Sequence, residues 1–337
     1  MDLVPTPGRT EGMDRRRFLA ASAAGSLALA SDPLAFAARL GGTPIAFVTA
    51  DLESHVVVLD LSSAKTIARI RTGPGPRSIE TVLDMAVVAH TEYGAVSVLR
   101  VSPYGVRAEL DDFEAPRYTC SRPLSSLSVP ALAYITDSAR EEVVTFDLGS
   151  KILQRTRVPG PARHISISPD GRTIWTALGT KADLIAVLDA RRPYEPRLDR
   201  TIRPPFLAHD VVFAPDGVHT WVTSGTERDL ALYDRRSRRP IRILQADAPP
   251  QHVTFANGLA FVASGDDGTV RVHRPDGALI RTSRVPGGSY NVTFGWRRAV
   301  TPSLAQGTVA LLDARGRVRA TRSVARAAHD ACVLVGP

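Results

Sequence analysis

Short apolar runs separated by turn residues recur along almost the whole chain, and they predict β-strands rather than helices. One unit shows the pattern best, with a first predicted strand at residues 164–168 and a second at residues 173–178. Between them stands Pro169-Asp170-Gly171, a run of residue types that form tight turns. Third and fourth strands are predicted at residues 184–189 and at about 197–202. The pattern therefore predicts a unit of four antiparallel strands joined by short turns.

Weaker copies of this unit repeat every 38 to 46 residues, a period that is typical of the four-stranded blades of a β-propeller. Residues 45–50, 56–60 and 67–71 supply three strands without a first one, and residues 329–334 supply a first strand without successors. The C-terminal strand should therefore complete the N-terminal blade and close the ring. We predict an all-β, seven-bladed β-propeller over residues 44–337. The innermost strands begin, at what we call the ring positions, with Ser78, Tyr118, His164, His209, His252, Asn291 and His329.

Residues 1–38 differ from the rest and resemble a twin-arginine signal peptide with a short linker. Arg15-Arg16 followed by Phe18-Leu19 matches the pattern of such signals, and the apolar run at residues 18–30 is too short to span a bilayer. A retained membrane anchor is the alternative. The resemblance implies export in the folded state to an extracytoplasmic location, either secreted or in the periplasm or cell envelope.

The second strands of several units carry a shared tetrapeptide. It reads Phe47-Val48-Thr49-Ala50, Tyr134-Ile135-Thr136-Asp137 and Trp221-Val222-Thr223-Ser224, and it resembles the repeat of YVTN-type, WD40-like β-propellers. The Ser-Pro-Asp-Gly turn at residues 168–171 and an aspartate at the end of the third strands fit that family as well. The resemblance implies the fold and an exported location. It does not imply a single activity, because members include binding modules and cofactor-linked enzymes.

Propeller topology gathers the loops that lead into the innermost strands at one face, here called the top, around the central channel. Three arginines, Arg77, Arg117 and Arg163, come directly before three successive ring positions and could hold a carboxylate. Pairing with neighbouring acids is the alternative reading. We predict that a ligand binds at the channel mouth through Arg77, Ser78, Arg117, Tyr118, Arg163, His164, His209, His252, Asn291 and His329.

Four of the ring positions are histidines, namely His164, His209, His252 and His329. Because they hold equivalent places in their blades, they are expected to converge, and converging imidazoles suit a transition metal such as copper or zinc. The alternative is that these side chains only form hydrogen bonds along a polar channel wall. Asp210 and Asp330 directly follow two of them and could orient an imidazole or cap the strand.

These features favour an exported propeller that binds a protein or small-molecule ligand on its top face. The alternative function is a metal- or cofactor-assisted enzyme, either an oxidoreductase or a lactonase-like hydrolase, with its site at the channel mouth. The sequence contains no nucleophile elbow, P-loop or zinc-protease motif, so catalysis stays open.

The net charge of +8 adds a second surface. Arginine-rich runs at residues 191–192, 235–239 and 315–319 fall on the opposite face, here called the bottom. They are either a solvated surface or a contact with an anionic cell envelope. Nucleic acid is not expected as a partner, since the runs lack interleaved aromatic residues. We expect a monomer, with Cys120 and Cys332 as buried free thiols.

Overall fold

The computed structural model describes residues 42–123, 131–149, 151–249 and 251–337. Within these ranges 28 strands form seven four-stranded antiparallel sheets, arranged as the blades of one ring. The predicted fold class is thus confirmed. The predicted signal peptide at residues 1–38 lies outside the described residues. In the described part of the chain, no helix has the length and apolar character needed to cross a membrane.

Each blade is named by its four strands, from the innermost to the outermost. Blades 1 to 4 are β28 (Ala328–Gly336), β1 (Thr43–Ala50), β2 (His55–Asp60) and β3 (Lys65–Arg71); β4 (Ser78–Val82), β5 (Met85–His90), β6 (Ala95–Val101) and β7 (Tyr104–Leu110); β8 (Pro116–Ser121), β9 (Leu132–Asp137), β10 (Glu142–Asp147) and β11 (Lys151–Arg157); and β12 (Ile165–Ile167), β13 (Thr173–Ala177), β14 (Ile185–Asp189) and β15 (Arg197–Ile202).

The remaining three blades have the same strand order. Blades 5 to 7 are β16 (Ala208–Phe213), β17 (His219–Ser224), β18 (Asp229–Asp234) and β19 (Arg239–Gln245); β20 (Gln251–Ala256), β21 (Leu259–Ser264), β22 (Thr269–His273) and β23 (Leu279–Arg284); and β24 (Thr293–Gly295), β25 (Arg298–Ser303), β26 (Thr308–Asp313) and β27 (Val318–Ser323).

The ring is closed by the pairing of the two ends of the described chain. Strand β28 runs antiparallel to β1, with Phe47 opposite Cys332 and Ile45 opposite Leu334. The long ladder hides one edge of each strand from solvent, which removes the exposed edges of an open array. The predicted closure by the C-terminal strand is confirmed.

The hydrophobic core lies between neighbouring blades. The second and third strands are buried on both faces, whereas the outermost strands, such as β15, are largely exposed. Trp175 of blade 4 shows how two blades pack: its ring lies edge-on to Phe213 and Tyr233 of blade 5, with centroids 5.6 and 5.5 Å apart. This packing explains why the second and third strands read as nearly continuous apolar runs.

A threonine in the second strand ties each of three blades to the next. The Thr223 hydroxyl accepts the N–H of Asp210 from its own blade at 3.0 Å and donates to the carbonyl of Gln251 in the next blade at 2.9 Å. Thr49 and Thr136 make the same pair of bonds. These are the threonines of the tetrapeptide in the sequence, so the motif has a structural role at the blade junction.

The aspartates that end the third strands cap the turns of the bottom face. Asp189 accepts the backbone N–H of Arg191 at 3.0 Å, and Asp313 accepts those of Arg315 and Arg317 at 2.9 Å each. An acceptor at this place satisfies N–H groups that the turn would otherwise leave unpaired. The repeated aspartate is therefore explained by turn formation.

Candidate functional site

The seven ring positions lie at the top ends of the innermost strands, around the channel mouth. Below them is a cavity of about 600 Å³ that extends to the turns of the bottom face. Tyr118, His164 and His252 lie at its upper end. The channel therefore has a small chamber that a side chain or ligand at the ring positions could reach.

Three of the ring histidines form a compact, buried cluster. His164, His209 and His252 each offer a ring nitrogen, and these three atoms lie within 4.8 Å of one another. The side chains come from three successive blades, and ring centroids are 4.3 Å apart for His164 and His209 and 4.6 Å for His164 and His252. We call this group the histidine cluster. The propeller ring brings the three imidazoles together although the histidines are far apart in the sequence.

Two of the three imidazoles use one ring nitrogen each for a polar partner, and the third uses neither. His209 uses Nδ1 for the backbone carbonyl of Thr180 at 3.0 Å. His252 directs Nδ1 to Asp210 Oδ2 at 3.4 Å. Both nitrogens of His164 are buried and have no hydrogen-bond partner. An imidazole that donates Nδ1–H presents its Nε2 lone pair, and the unpartnered His164 is the arrangement that a bound ion would satisfy.

The surroundings of the cluster favour neutral imidazoles. Burial, followed by the neighbouring His209 and His252, holds the pKa of His164 well below its ordinary value. Burial and His252 lower the pKa of His209 to about 4. A neutral imidazole is the form that binds a metal, so protons compete weakly with an ion at this site near neutral pH.

Tyr118 extends the cluster into blade 3. Its ring lies against His164 with centroids 3.9 Å apart. Burial is the main cause that raises the pKa of its phenol to about 12, so the side chain is neutral. Tyr118 therefore covers one side of His164 and keeps water from that face of the imidazole.

His329 does not join the cluster, in contrast to the expectation that all four ring histidines converge. Its Nδ1 lies 3.1 Å from Asp51 Oδ2 on the same blade. Arg77 approaches the same carboxylate at 3.4 Å. The neighbouring ring positions of blades 7 and 2 are Asn291 and Ser78, so His329 has no histidine beside it.

The ring positions also differ because some innermost strands carry a β-bulge. In β16 the register shifts between Ala208 and Val211, which makes room for an extra residue at His209-Asp210. Strand β28 has the same shift at His329-Asp330 and β8 at Arg117-Tyr118. A bulge re-aims the side chains at its site. Residues at equivalent positions of the repeat can therefore point their side chains in different directions.

Asp210 has both of the roles considered from the sequence, whereas Asp330 has only the structural one. Each accepts its following N–H at 2.8 Å and an N–H of the next innermost strand, Val253 at 3.2 Å and Ile79 at 3.1 Å, respectively. Both therefore join two innermost strands. Only Asp210 also faces a cluster histidine, and it is His252 of the next blade rather than the histidine that it follows in sequence.

The remaining predicted residues line the same mouth. Ser78 and Asn291 have mainly structural contacts, since the Ser78 hydroxyl donates to the carbonyl of Arg117 and the Asn291 amide donates to that of His329. The side chains of Arg117 and Arg163 are half-buried. Burial, followed by the charges of Arg163 and Arg77, lowers the pKa of Arg117 to about 10, and burial also lowers the pKa of Arg163. Three positive charges therefore gather at the top of the channel.

One channel residue was missed by the sequence analysis. Glu80 lines the cavity two positions after Ser78, and burial, followed by the nearby Asp330, raises its pKa to about 8. The signal that could have found it is the period of two along a strand, which places Ser78 and Glu80 on the same side. Cys120 and Cys332 are buried and free, as expected.

The bottom face carries the predicted arginines together with acidic partners. Arg235 pairs with Asp170 at 2.9 Å, and Arg238 pairs with Asp199 at 2.9 Å. A cavity of about 540 Å³ lies among these side chains. Much of the basic charge on this side is thus balanced locally.

Comparison with known proteins shows the fold. No protein-family model and no curated protein matches the sequence. A functionally unknown protein from Desulfotomaculum acetoxidans is similar in structure, with a TM-score of 0.74 and 12% identity, over 87% of this chain and 99% of that one. AztD from Citrobacter koseri has a TM-score of 0.67 and 11% identity, over 88% of this chain and 99% of that one. Hydrazine synthase from Kuenenia stuttgartiensis has a TM-score of 0.66 and 15% identity, over 77% of this chain and 89% of that one.

Proposed function

We propose that this protein binds a transition-metal ion, zinc or copper, through His164, His209 and His252. The observation that carries the proposal is the buried cluster of three imidazoles, in which both nitrogens of His164 are buried and have no hydrogen-bond partner. Three neutral nitrogen ligands are a set that both ions accept. The sequence-based hypothesis of a binding protein with its site at the top of the channel is thereby narrowed to one kind of ligand.

The distances support an ion at the centre of the cluster. Imidazoles that share a zinc ion bind it at about 2.1 Å, so their nitrogens lie about 3.4 Å apart in a tetrahedral site. The donor atoms of the cluster are within 4.8 Å of one another. Small rotations of the rings about their side-chain bonds would close this difference. The partners of His209 and His252, a backbone carbonyl and the Asp210 carboxylate, resemble the outer groups that orient metal-binding histidines.

A metal-assisted enzyme remains the second candidate, since three histidines leave a fourth coordination position open. In a tetrahedral site that position holds water or a ligand, and a zinc ion there would promote ionisation of a bound water. The cavity beneath His164 and His252 gives a small molecule room to approach. Turnover of ester or lactone substrates by the zinc-loaded protein, and its loss in the His164→Gln variant, would favour this candidate over binding alone.

Two further expectations stay proposals. Export by the twin-arginine route rests on the sequence of residues 1–38. Contact of the bottom face with an anionic envelope rests on exposed arginines such as Arg192, Arg236 and Arg239. Binding to anionic vesicles that falls with added salt would support the envelope contact, and binding that is absent or independent of salt would remove it.

The test of metal binding begins with the full chain freed of metal by a chelator. We expect saturable binding of one zinc or copper ion per chain by titration calorimetry, and an absorption spectrum of a low-symmetry site when cobalt(II) is used as a probe. His164→Gln should abolish both signals. His219→Gln is the matched control, because His219 begins strand β17 at the bottom face and pairs with Asp216 of the preceding turn at 2.7 Å. Absence of stoichiometric binding in the wild type would overturn the proposal.

A further inference from the structure

We propose that Arg77, Arg117 and Arg163 form a binding site for a small oxyanion, a carboxylate or a phosphate, at the top mouth of the channel. The site lies next to the histidine cluster but does not depend on it. It goes beyond metal binding, and it can be measured in protein that holds no metal.

The first observation is that the three arginines directly precede the ring positions of three successive blades, 2, 3 and 4, at the same end of the channel. Burial, then the charges of Arg163 and Arg77, lower the pKa of Arg117 to about 10. Like charges held together are unfavourable in the empty site, and a bound anion would relieve this repulsion.

The second observation is that carboxylates do not balance this charge. Arg77 is 3.4 Å from Asp51, which also contacts His329. Within the described residues no carboxylate lies within ion-pair distance of Arg117 or Arg163, although the exposed Glu92 offsets part of the charge of Arg117. In the part of the chain that the structure describes, Arg77 is therefore the one member of the three that is paired with a carboxylate.

The third observation concerns the hydrogen bonds of the two half-buried arginines. Arg163 Nε is buried and has no hydrogen-bond partner. Arg117 donates its Nε–H to the hydroxyl of Ser138 at 3.2 Å, and within the described residues its terminal nitrogens form no hydrogen bond. A buried guanidinium nitrogen without an acceptor is unfavourable, and an oxyanion supplies acceptors in the geometry that the guanidinium fork matches.

The backbone holds these arginines in place. The carbonyls of Arg77 and Arg163 accept the hydroxyls of Thr49 and Thr136 at 2.9 and 2.7 Å, and the carbonyl of Arg117 accepts the Ser78 hydroxyl. All three residues thus start from fixed points at blade junctions of three neighbouring blades. A site on rigid elements needs little ordering when a ligand binds.

The test is a titration of the metal-free full chain with acetate, citrate and inorganic phosphate at constant ionic strength, with chloride as the reference salt. We expect saturable binding of at least one of these probes, and the ranking of carboxylates against phosphate identifies the class. Arg117→Gln should weaken it by at least about 10-fold, and Arg117→Lys, which keeps the charge but loses the fork, by less. Arg117→Gln with Arg163→Gln should abolish it.

Two controls separate this proposal from metal binding. Arg322→Gln removes an exposed arginine on an outermost strand and should bind the probe as the wild type does. His209→Gln should keep the anion affinity within about 3-fold, because it leaves the guanidinium groups in place. No saturable binding of any probe, or equal affinity in the double arginine variant and the wild type, would overturn the oxyanion site whatever the metal titration gives.

Discussion

His209 and His329 occupy the same place in blades 5 and 1, and their surroundings are different. Each lies in a bulge of its innermost strand and precedes an aspartate. His209 directs Nδ1 to the neutral carbonyl of Thr180, while His329 directs Nδ1 to the carboxylate of Asp51. The blades next to His209 contribute His164 and His252, and the blades next to His329 contribute Asn291 and Ser78. The comparison teaches that the neighbouring blades, rather than the repeat position, decide which histidine can share an ion.

A glycine explains part of this difference. Gly225 follows the second strand of blade 5 where Asp51 follows that of blade 1. A Cβ at Gly225 would lie 2.5 Å from the carbonyl oxygen of Thr180, so a side chain such as aspartate has no room there. The same carbonyl takes the hydrogen bond of His209. Blade 5 therefore offers the Nδ1 of His209 a neutral acceptor where blade 1 offers His329 a carboxylate.

The largest effect among the outer groups is expected at Asp210. Asp210→Asn should weaken zinc or copper binding by about 10- to 100-fold, because the carboxylate facing His252 orients that imidazole. Asp330→Asn is the matched control: it changes the same kind of bulge and the same bridge between innermost strands, away from the cluster. Isothermal titration calorimetry of both variants with zinc or copper measures the effect. Equal losses of metal affinity in the two variants would contradict a specific role of Asp210 at the histidine cluster.

The cluster should make the metal-free protein sensitive to acid. The pKa of His209 is lowered to about 4, against 6.5 ordinarily, in surroundings that contain His164, His252, Asp210 and Arg163. Between these pH values the unfolded chain binds a proton that the folded chain does not. The free energy of unfolding therefore decreases as the pH is lowered from about 6.5 to about 4, by up to about 1.4 kcal/mol per pH unit from this group.

His209→Gln should remove the contribution of this histidine to the pH dependence of the free energy of unfolding. Urea unfolding of the metal-free wild type and variant at pH 7, 6 and 5 measures it. An unchanged slope in the variant would show that His209 is not held neutral by its burial.

Glu80 should affect the pH dependence of stability in the direction opposite to His209, and more weakly. Its pKa is raised to about 8, so its contribution to stability is complete below about 4.5 and is lost as the pH rises through 8. Because the side chain borders the cavity, water reduces the effect below about 1.4 kcal/mol per pH unit. Glu80→Gln should flatten the fall in stability between pH 5 and 8, whereas the exposed Glu109→Gln should leave it as in the wild type.

The fold was predictable from the sequence because the pattern of one blade recurs seven times along the chain. The strand period, the Pro-Asp-Gly turns and the incomplete terminal units give the number of blades and the closure by β28 (Ala328–Gly336). Each signal is local, and each is determined by turn formation or by burial between blades. The same topology predicted that histidines would gather at the channel mouth.

The composition of the cluster was less predictable, because bulges and neighbours decide it. Thr223 faces the bulge of blade 5, and its hydroxyl takes the N–H of Asp210. The same residue type stands at Thr176 in blade 4, where the pairing with β12 is regular and its hydroxyl has no partner. The threonine alone therefore does not signal a bulge. That Asp210 faces His252 of the next blade depends on the fold of both blades together.

The most direct test of the central claim is the affinity of zinc for two matched variants of the full chain. His209→Gln and His329→Gln remove histidines from the same blade position, one inside and one outside the cluster. We predict that His209→Gln weakens zinc binding by on the order of 100-fold or more, and that His329→Gln changes it by less than about 3-fold. Equal losses in the two variants, or a larger loss in His329→Gln, would contradict a site built from His164, His209 and His252.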